Sequence, residues 1–334
     1  MIEKKLNAAE QGKLWATYMG NSMATRVLSH MLAHTGDQDI RKIVKYALSL
    51  AEQYVKEIQD ILIREGYPLP EGFTDNDVNM DAPRLFADEM YLHYLKYVCK
   101  AGLNIYGIAV TLMTRPDVRE FFKECLNQAT VLISRVNELM TKKGVAVPAP
   151  MIPYPSKVDF IKKQNYLRGF WGEIRPLHSL EITHLYDNVE NNATSKAILI
   201  GFSQVAQSDS TRSYFLRGKD IAARHYDHLN TYLQEEDLSS SPVLDPLVAA
   251  STLPPYSDKL MVAHKVDMFS MRVRTYGNAL AFAARRDLAA KYAALILDVG
   301  KYAEDGAKIM IQHGWMEQPP QAVNREALAK SKGE

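Results

Sequence analysis

Cysteine is nearly absent: among 334 residues only Cys99 and Cys125 occur, both in the N-terminal half. A secreted scaffold held by disulfides would need more, so the pattern points to reduced thiols and a cytoplasmic setting. Neither sign of charge dominates, with 40 Lys and Arg against 39 Asp and Glu. A nucleic-acid partner needs a basic surplus on one face, and that class is excluded. No apolar run approaches the ~20 residues that a membrane span requires. The opening residues, Met1 to Lys5, lead into an amphipathic pattern rather than an apolar leader core, so no signal peptide is expected. A Gly-rich phosphate loop and a Cys-x-x-Cys pair are missing, and no strand is expected from which a strained nucleophile could project.

What the chain does have is itself, twice. At an offset of 171 residues Leu6 meets Leu177, Glu10 meets Glu181, Asn21 meets Asn192 and Leu62 meets Leu233. The same offset pairs Met90 with Met261 and His93 with His264; after one lost residue, Tyr106 meets Tyr276, Asp117 meets Asp287 and Pro150 meets Pro320. A period this long is one domain, not a solenoid unit, and the fold class expected is all-α, a tandem duplication of one four-helix bundle. With 47% hydrophobic residues each copy can bury its own core.

Helical periodicity places four long helices in each copy, the cleanest being Asp39 to Arg64, where Ile40, Val44, Ala47, Ala51, Tyr54, Ile58 and Ile61 form one stripe. Helices 1–2 and 3–4 are joined tightly. The connection from helix 2 to helix 3 is long enough to run the length of the bundle, which would make those two helices parallel. The expected limits are residues 1–146 for the first bundle, 147–176 for a spacer and linker, 177–320 for the second bundle, and 321–334 for a mobile tail. The spacer Val147 to Pro155 is Pro-rich and extended. In the linker that follows, Phe160, Tyr166, Phe170 and Trp171 alternate with basic residues, and the expectation is a wedge packed between the two bundles.

A bundle with a long crossover invites a two-metal carboxylate site, in which two helices each give a Glu and two each give Glu-x-x-His. The chain does not meet that pattern: its single Glu-x-x-His is Glu181 to His184, on the first helix of the second copy. Glu10 recurs as Glu181, but Asn7-Ala-Ala-Glu10 has capping-box spacing, so capping competes with ligation. His93 and His264 look like core histidines on apolar helices. The second copy is the more polar inside. His225 replaces Tyr54 on the cleanest stripe, His228 follows it, and Asp298 stands where the first copy has Gln128. Asp298 is expected to face inward, paired with His225 or sharing a metal with it, because an unpaired buried charge is costly. The candidate metal ligands are therefore His225, Asp298, His264 and Glu181, with iron, manganese or zinc as the ion. Tyr and Met stripes could also line an apolar cavity, although such stripes are usually plain core.

Several stretches resemble a known family: Glu181–Leu185, Gly201–Ala206, Tyr214–Lys219, Tyr302–Ala307, Gly314–Pro320 and, in the first copy, Asp81–Phe86. They are similar to uncharacterised proteins of Bacillus-type spore formers, themselves distantly similar to the spore coat protein F family. The resemblance covers nearly the whole chain. It implies tandem ferritin-like bundles and a spore context, and it brings no catalytic residues; the partners expected are spore-coat proteins or a second copy of the chain. The leading expectation is a non-catalytic structural or interaction protein. A metal-binding or oxidative protein using the second copy, and a carrier of an apolar ligand, are the alternatives.

Overall fold

The computed structural model describes residues 5–330. Eight long helices carry the fold: α1 (Ala8–His34), α2 (Gln38–Arg64), α3 (Asp88–Leu112), α4 (Pro116–Lys142), α5 (Ser179–Val205), α6 (Asp209–Gln234), α7 (Asp258–Phe282) and α8 (Arg286–Gln312). A short exposed helix, α9 (Arg325–Lys330), lies in the polar tail. Helices of 25–27 residues are stable here because each buries a stripe against its neighbours. Their ends are written locally. Asp37 caps α2 through the amides of Asp39 and Ile40, Pro116 opens α4, and Gly66 and Gly144 take the left-handed conformation just past α2 and α4.

Two carboxylates fix the direction of α3. Asp88, at its start, accepts from the amides of Gly36 and Asp37 in the α1–α2 turn at 2.9 and 2.7 Å. At its other end, Arg115 pairs with Glu65, the residue that caps the end of α2. Helices α2 and α3 therefore run parallel, and residues 65–87 cross the full length of the bundle. The second repeat does the same. Asp258 accepts from Gln207 and Ser208, both at 3.0 Å, and Arg285 pairs with Glu236 at 3.4 Å.

The aromatic linker was the expected wedge between the copies, and the structure assigns that work elsewhere. The two crossover loops bind each other. Val78 bridges to Tyr256 and Phe86 to Val248, both antiparallel. Ala87 N donates to Leu247 O at 2.8 Å, Ala249 N to Leu85 O at 2.9 Å, and Asn79 N to Pro255 O at 2.9 Å. Residue 86 corresponds to 256 as 78 corresponds to 248, so the seam is close to two-fold symmetric. Phe86 seats on Gly201, where a Cβ would lie 2.7 Å from the ring. Tyr256 meets His30, the residue that stands in place of that glycine, edge-on at 5.4 Å. The linker aromatics stay out: Tyr154, Phe160 and Trp171 are 98, 76 and 84% exposed. Tyr166 is the partial exception, with the Arg175 guanidinium 4.0 Å above its ring.

The register of the duplication also needs correcting. Helices α1 and α2 precede α5 and α6 by 171 residues, but α3 and α4 precede α7 and α8 by 170. The left-handed residues after α2 and α6, Gly66 and Asp237, are 171 apart, and the 3-10 turns at Asp75 and Asp245 are already 170 apart. The lost residue thus lies in the crossover loop, where a deletion disturbs no helical face. Placing it inside helix 3 paired His93 with His264. The structural partner of His264 is Tyr94, and that of His93 is Ala263.

Candidate functional site

Glu10 and Glu181 are structural staples. Glu10 closes a capping box with Asn7 and also accepts from Thr114 N, Thr114 Oγ1 and Arg115 N at 2.8–3.0 Å, tying the start of α1 to the α3–α4 turn. Glu181 closes a capping box with His178, accepts from Ala284 N and Arg285 N, and is gripped bidentately by Arg175 at 2.8 and 2.9 Å. Burial pushes the Glu181 carboxyl up, but Arg175 and the amides of Arg285 and His178 outweigh it and leave it below its usual range.

His225 and Asp298 do meet, across the antiparallel helices α6 and α8. His225 Nε2 lies 3.0 Å from Asp298 Oδ2, and its Nδ1 lies 3.1 Å from the Tyr276 hydroxyl. A carboxylate can only accept, so Nε2 carries the proton and Nδ1 accepts from Tyr276. That leaves the Tyr276 oxygen to accept from Asn192 Nδ2 at 2.9 Å. Asp298 does not face inward as expected: its side chain is 44% exposed and shares its carboxylate with Arg224 at 3.2 Å. Only the histidine is buried, and burial, helped by nearby Arg272, lowers its pKa to about 4. The imidazole is neutral and engaged at both nitrogens.

His264 is far from that relay in its contacts. Its Nε2 lies 3.1 Å from the hydroxyl of its own counterpart, Tyr94, and the rings stack at 5.5 Å across the seam between repeats. Glu181, His264 and the His225–Asp298 pair thus occupy three separate environments. Among the described residues no group of three or more His, Cys, Asp or Glu side chains converges.

The corrected register exposes a larger difference, which a register error in helix 3 hid from the sequence comparison. In the second repeat Lys265, Phe269 and Arg272 fill the centre, all fully buried. Lys265 Nζ donates to Ser195 Oγ at 2.8 Å, and the Arg272 guanidinium lies 4.3 Å over Phe269, its nitrogens without a well-placed acceptor. Their counterparts in α3 are Leu95, Cys99 and Gly102. Tyr302 of α8 likewise answers to Leu132 of α4, and Val299 to Ala129. With these small side chains the first repeat keeps a cavity of about 270 Å³. Its wall is mainly apolar, includes the rings of Tyr54, Tyr94, Tyr97 and Tyr106, and is completed from the second repeat by His264, Asp267 and Met268. Lys13 and exposed Arg274 also line it.

Three buried wall residues carry a polar atom with no hydrogen-bond partner: Thr17 Oγ1, Tyr54 hydroxyl and His264 Nδ1. Asp267 lines the cavity and keeps much of its surface accessible, while the protein around it still withdraws part of its solvation. Burial raises its pKa, and Arg274 acts against the rise from beyond ion-pair distance. The sequence reading missed Asp267 altogether. Its signal was the replacement of Tyr97 by Asp at the structurally equivalent position, visible only at an offset of 170.

The chain belongs to the DUF3231 family, described as proteins of unknown function, whose model matches it twice, over residues 2–158 and 167–328. Among curated proteins none matches. A crystal structure of a putative spore coat protein from Bacillus halodurans is similar at 15% identity and a TM-score of 0.43, covering 45% of this chain and 98% of that one. A likeness at that level transfers no role. No helix among the described residues is long and apolar enough to cross a membrane.

Proposed function

We propose that this protein is a non-catalytic carrier that holds a small apolar ligand in the first repeat. The observation that supports it is the cavity of about 270 Å³ at the place where the duplicate repeat has a filled centre. Interiors normally pack with few voids larger than a water molecule, and each void costs stability. Pockets for small organic ligands begin near this size and are mainly apolar with a few placed polar groups. A void maintained in one copy and closed in the other is what ligand binding would require.

Benzene is the direct probe, since dry apolar cavities take it up. Added benzene should raise the melting temperature of the wild type. It should leave Cys99→Phe, which imports the side chain of the second repeat, unaffected. No shift in the wild type, or an equal shift in both proteins, would sink the carrier reading.

A structural or interaction role is the second reading, and the exposed linker supports it. Phe160, Ile161 and Trp171 stand free among Lys157, Lys162, Lys163 and Arg168, a composition suited to an acidic protein surface. Replacing the three apolar residues by serine should then abolish association with such a partner while benzene binding persists.

A further inference from the structure

We propose that the ligand of the first repeat is an apolar amine, its ammonium group held by Asp267. This rests on the carrier reading and adds the head-group chemistry. Asp267 is supplied by α7, so the second repeat contributes the polar anchor to a cavity dug in the first. No described residue donates a hydrogen bond or an ion pair to its carboxylate. A carboxyl that has lost part of its solvation and has no partner is destabilised, and a ligand cation that displaces the remaining water strengthens its attraction to it.

The wall suits the rest of such a molecule. Tyr97 donates its hydroxyl to Met268 O at 2.7 Å, and the Tyr94 hydroxyl is engaged by His264, so both rings offer the cavity apolar surface. With Tyr54 and Tyr106 they put four aromatic rings in the same cavity wall as one anionic group, a combination that favours organic cations over neutral hydrocarbons. Lys13 and Arg274 carry the opposite sign and set the competing possibility, a ligand with a carboxylate. Lys13 is half-buried and Arg274 is exposed, as is Asp267, so probes of each sign decide between the two.

The test compares three probes with one shared ring: benzylamine, benzyl alcohol and benzoate, titrated calorimetrically into the full chain. Benzylamine should bind about tenfold tighter than the alcohol, with benzoate weakest. Asp267→Asn should bring the amine down to the level of the alcohol and leave the alcohol unchanged; Asp267→Ser serves if that variant does not fold. Equal binding of amine and alcohol, or an amine preference that survives loss of the carboxylate, would overturn the amine assignment while leaving the cavity reading intact. Tightest binding by benzoate would overturn it in favour of Lys13 and Arg274. Failure of all three probes, together with benzene, would remove the carrier reading itself.

Discussion

The first repeat is hollow where the second is filled, and the same frame surrounds both. The capping glutamates Glu10 and Glu181, the turn-binding aspartates Asp88 and Asp258, and the arginines that close the far end, Arg115 and Arg285, occupy equivalent places and make equivalent bonds. Inside that frame, Gly102 faces Arg272 across the duplication, Cys99 faces Phe269 and Leu132 faces Tyr302. The lesson is that helix ends and turns specify this bundle, whereas the centre is free to diverge. End groups have few alternatives because a buried backbone amide must find an acceptor. A centre can trade volume for a cavity at a cost of a few kcal/mol that a long bundle tolerates.

The largest effect should come from making the second centre resemble the first. Phe269→Cys removes a fully buried ring and leaves the Arg272 guanidinium without the face it stacks on. We expect a loss of about 3 kcal/mol in denaturant unfolding. The reciprocal Cys99→Phe fills existing space and should cost less than about 1.5 kcal/mol. Equal losses for the two exchanges would mean that the first repeat closes on itself in solution and the contrast between centres is not real.

Acid should separate the repeats as well. His225 is held neutral, with a pKa of about 4, and His264 is held at about 3, in both cases chiefly by burial. An unfolded histidine titrates near 6.5, so between that pH and about 4 the unfolded chain binds protons that the native chain refuses. Stability is therefore full above pH ~6.5 and falls as pH drops through this window, by about 3 kcal/mol for His225 alone. His225→Tyr, which restores the residue of the first repeat, should flatten the fall measured as melting temperature against pH. An unchanged profile in that variant would show that His225 is already protonated in the native state.

Much of the frame was legible in sequence, because capping, turn and stripe signals are local. Asn7 with Glu10, Asp37 before α2 and Gly144 after α4 each announce themselves within a few residues. The crossover was legible from loop length. Three things were not. The single-residue deletion hid in a loop without periodicity, so matching Met90 to Met261 and His93 to His264 was as good locally as the true register. The exposure of Asp298 depends on how far α8 rotates relative to α6, a tertiary quantity that a helical stripe fixes only to within a turn. The cavity depends on small residues from four helices plus Asp267 from the other repeat, and no window along the chain contains them together.

The two staples offer a finer comparison. Glu181 accepts from the same three backbone positions as Glu10, lacks the hydroxyl bond that Glu10 takes from Thr114, and has instead the two bonds from Arg175. Glu181→Gln keeps the size and loses the charge, so it should cost about 2 kcal/mol, against about 1 kcal/mol for Glu10→Gln, where backbone amides and one hydroxyl are the donors. Arg175→Ala should erase that difference, since it leaves the Glu181 site with only the three backbone amides whose equivalents Glu10 also has. If the gap persists without Arg175, it belongs to the deeper setting of the second staple rather than to the ion pair.

The smallest effect should come from the residue that looked most like a wedge. A tryptophan buried between two bundles loses about 3–5 kcal/mol on truncation, whereas exposed substitutions stay within about 0.5 kcal/mol. Trp171 is 84% exposed and touches Phe170 as its ring neighbour, at 5.8 Å, which is itself half exposed. Trp171→Ala should therefore leave the melting temperature unchanged. Gly201→Ala, by contrast, sets a Cβ against the Phe86 ring at the true seam, and should destabilise by about 1–3 kcal/mol. The order of these two variants decides where the repeats are joined. If Trp171→Ala proved the more damaging, the linker would hold the halves together after all, and the pairing of the crossover loops would be secondary.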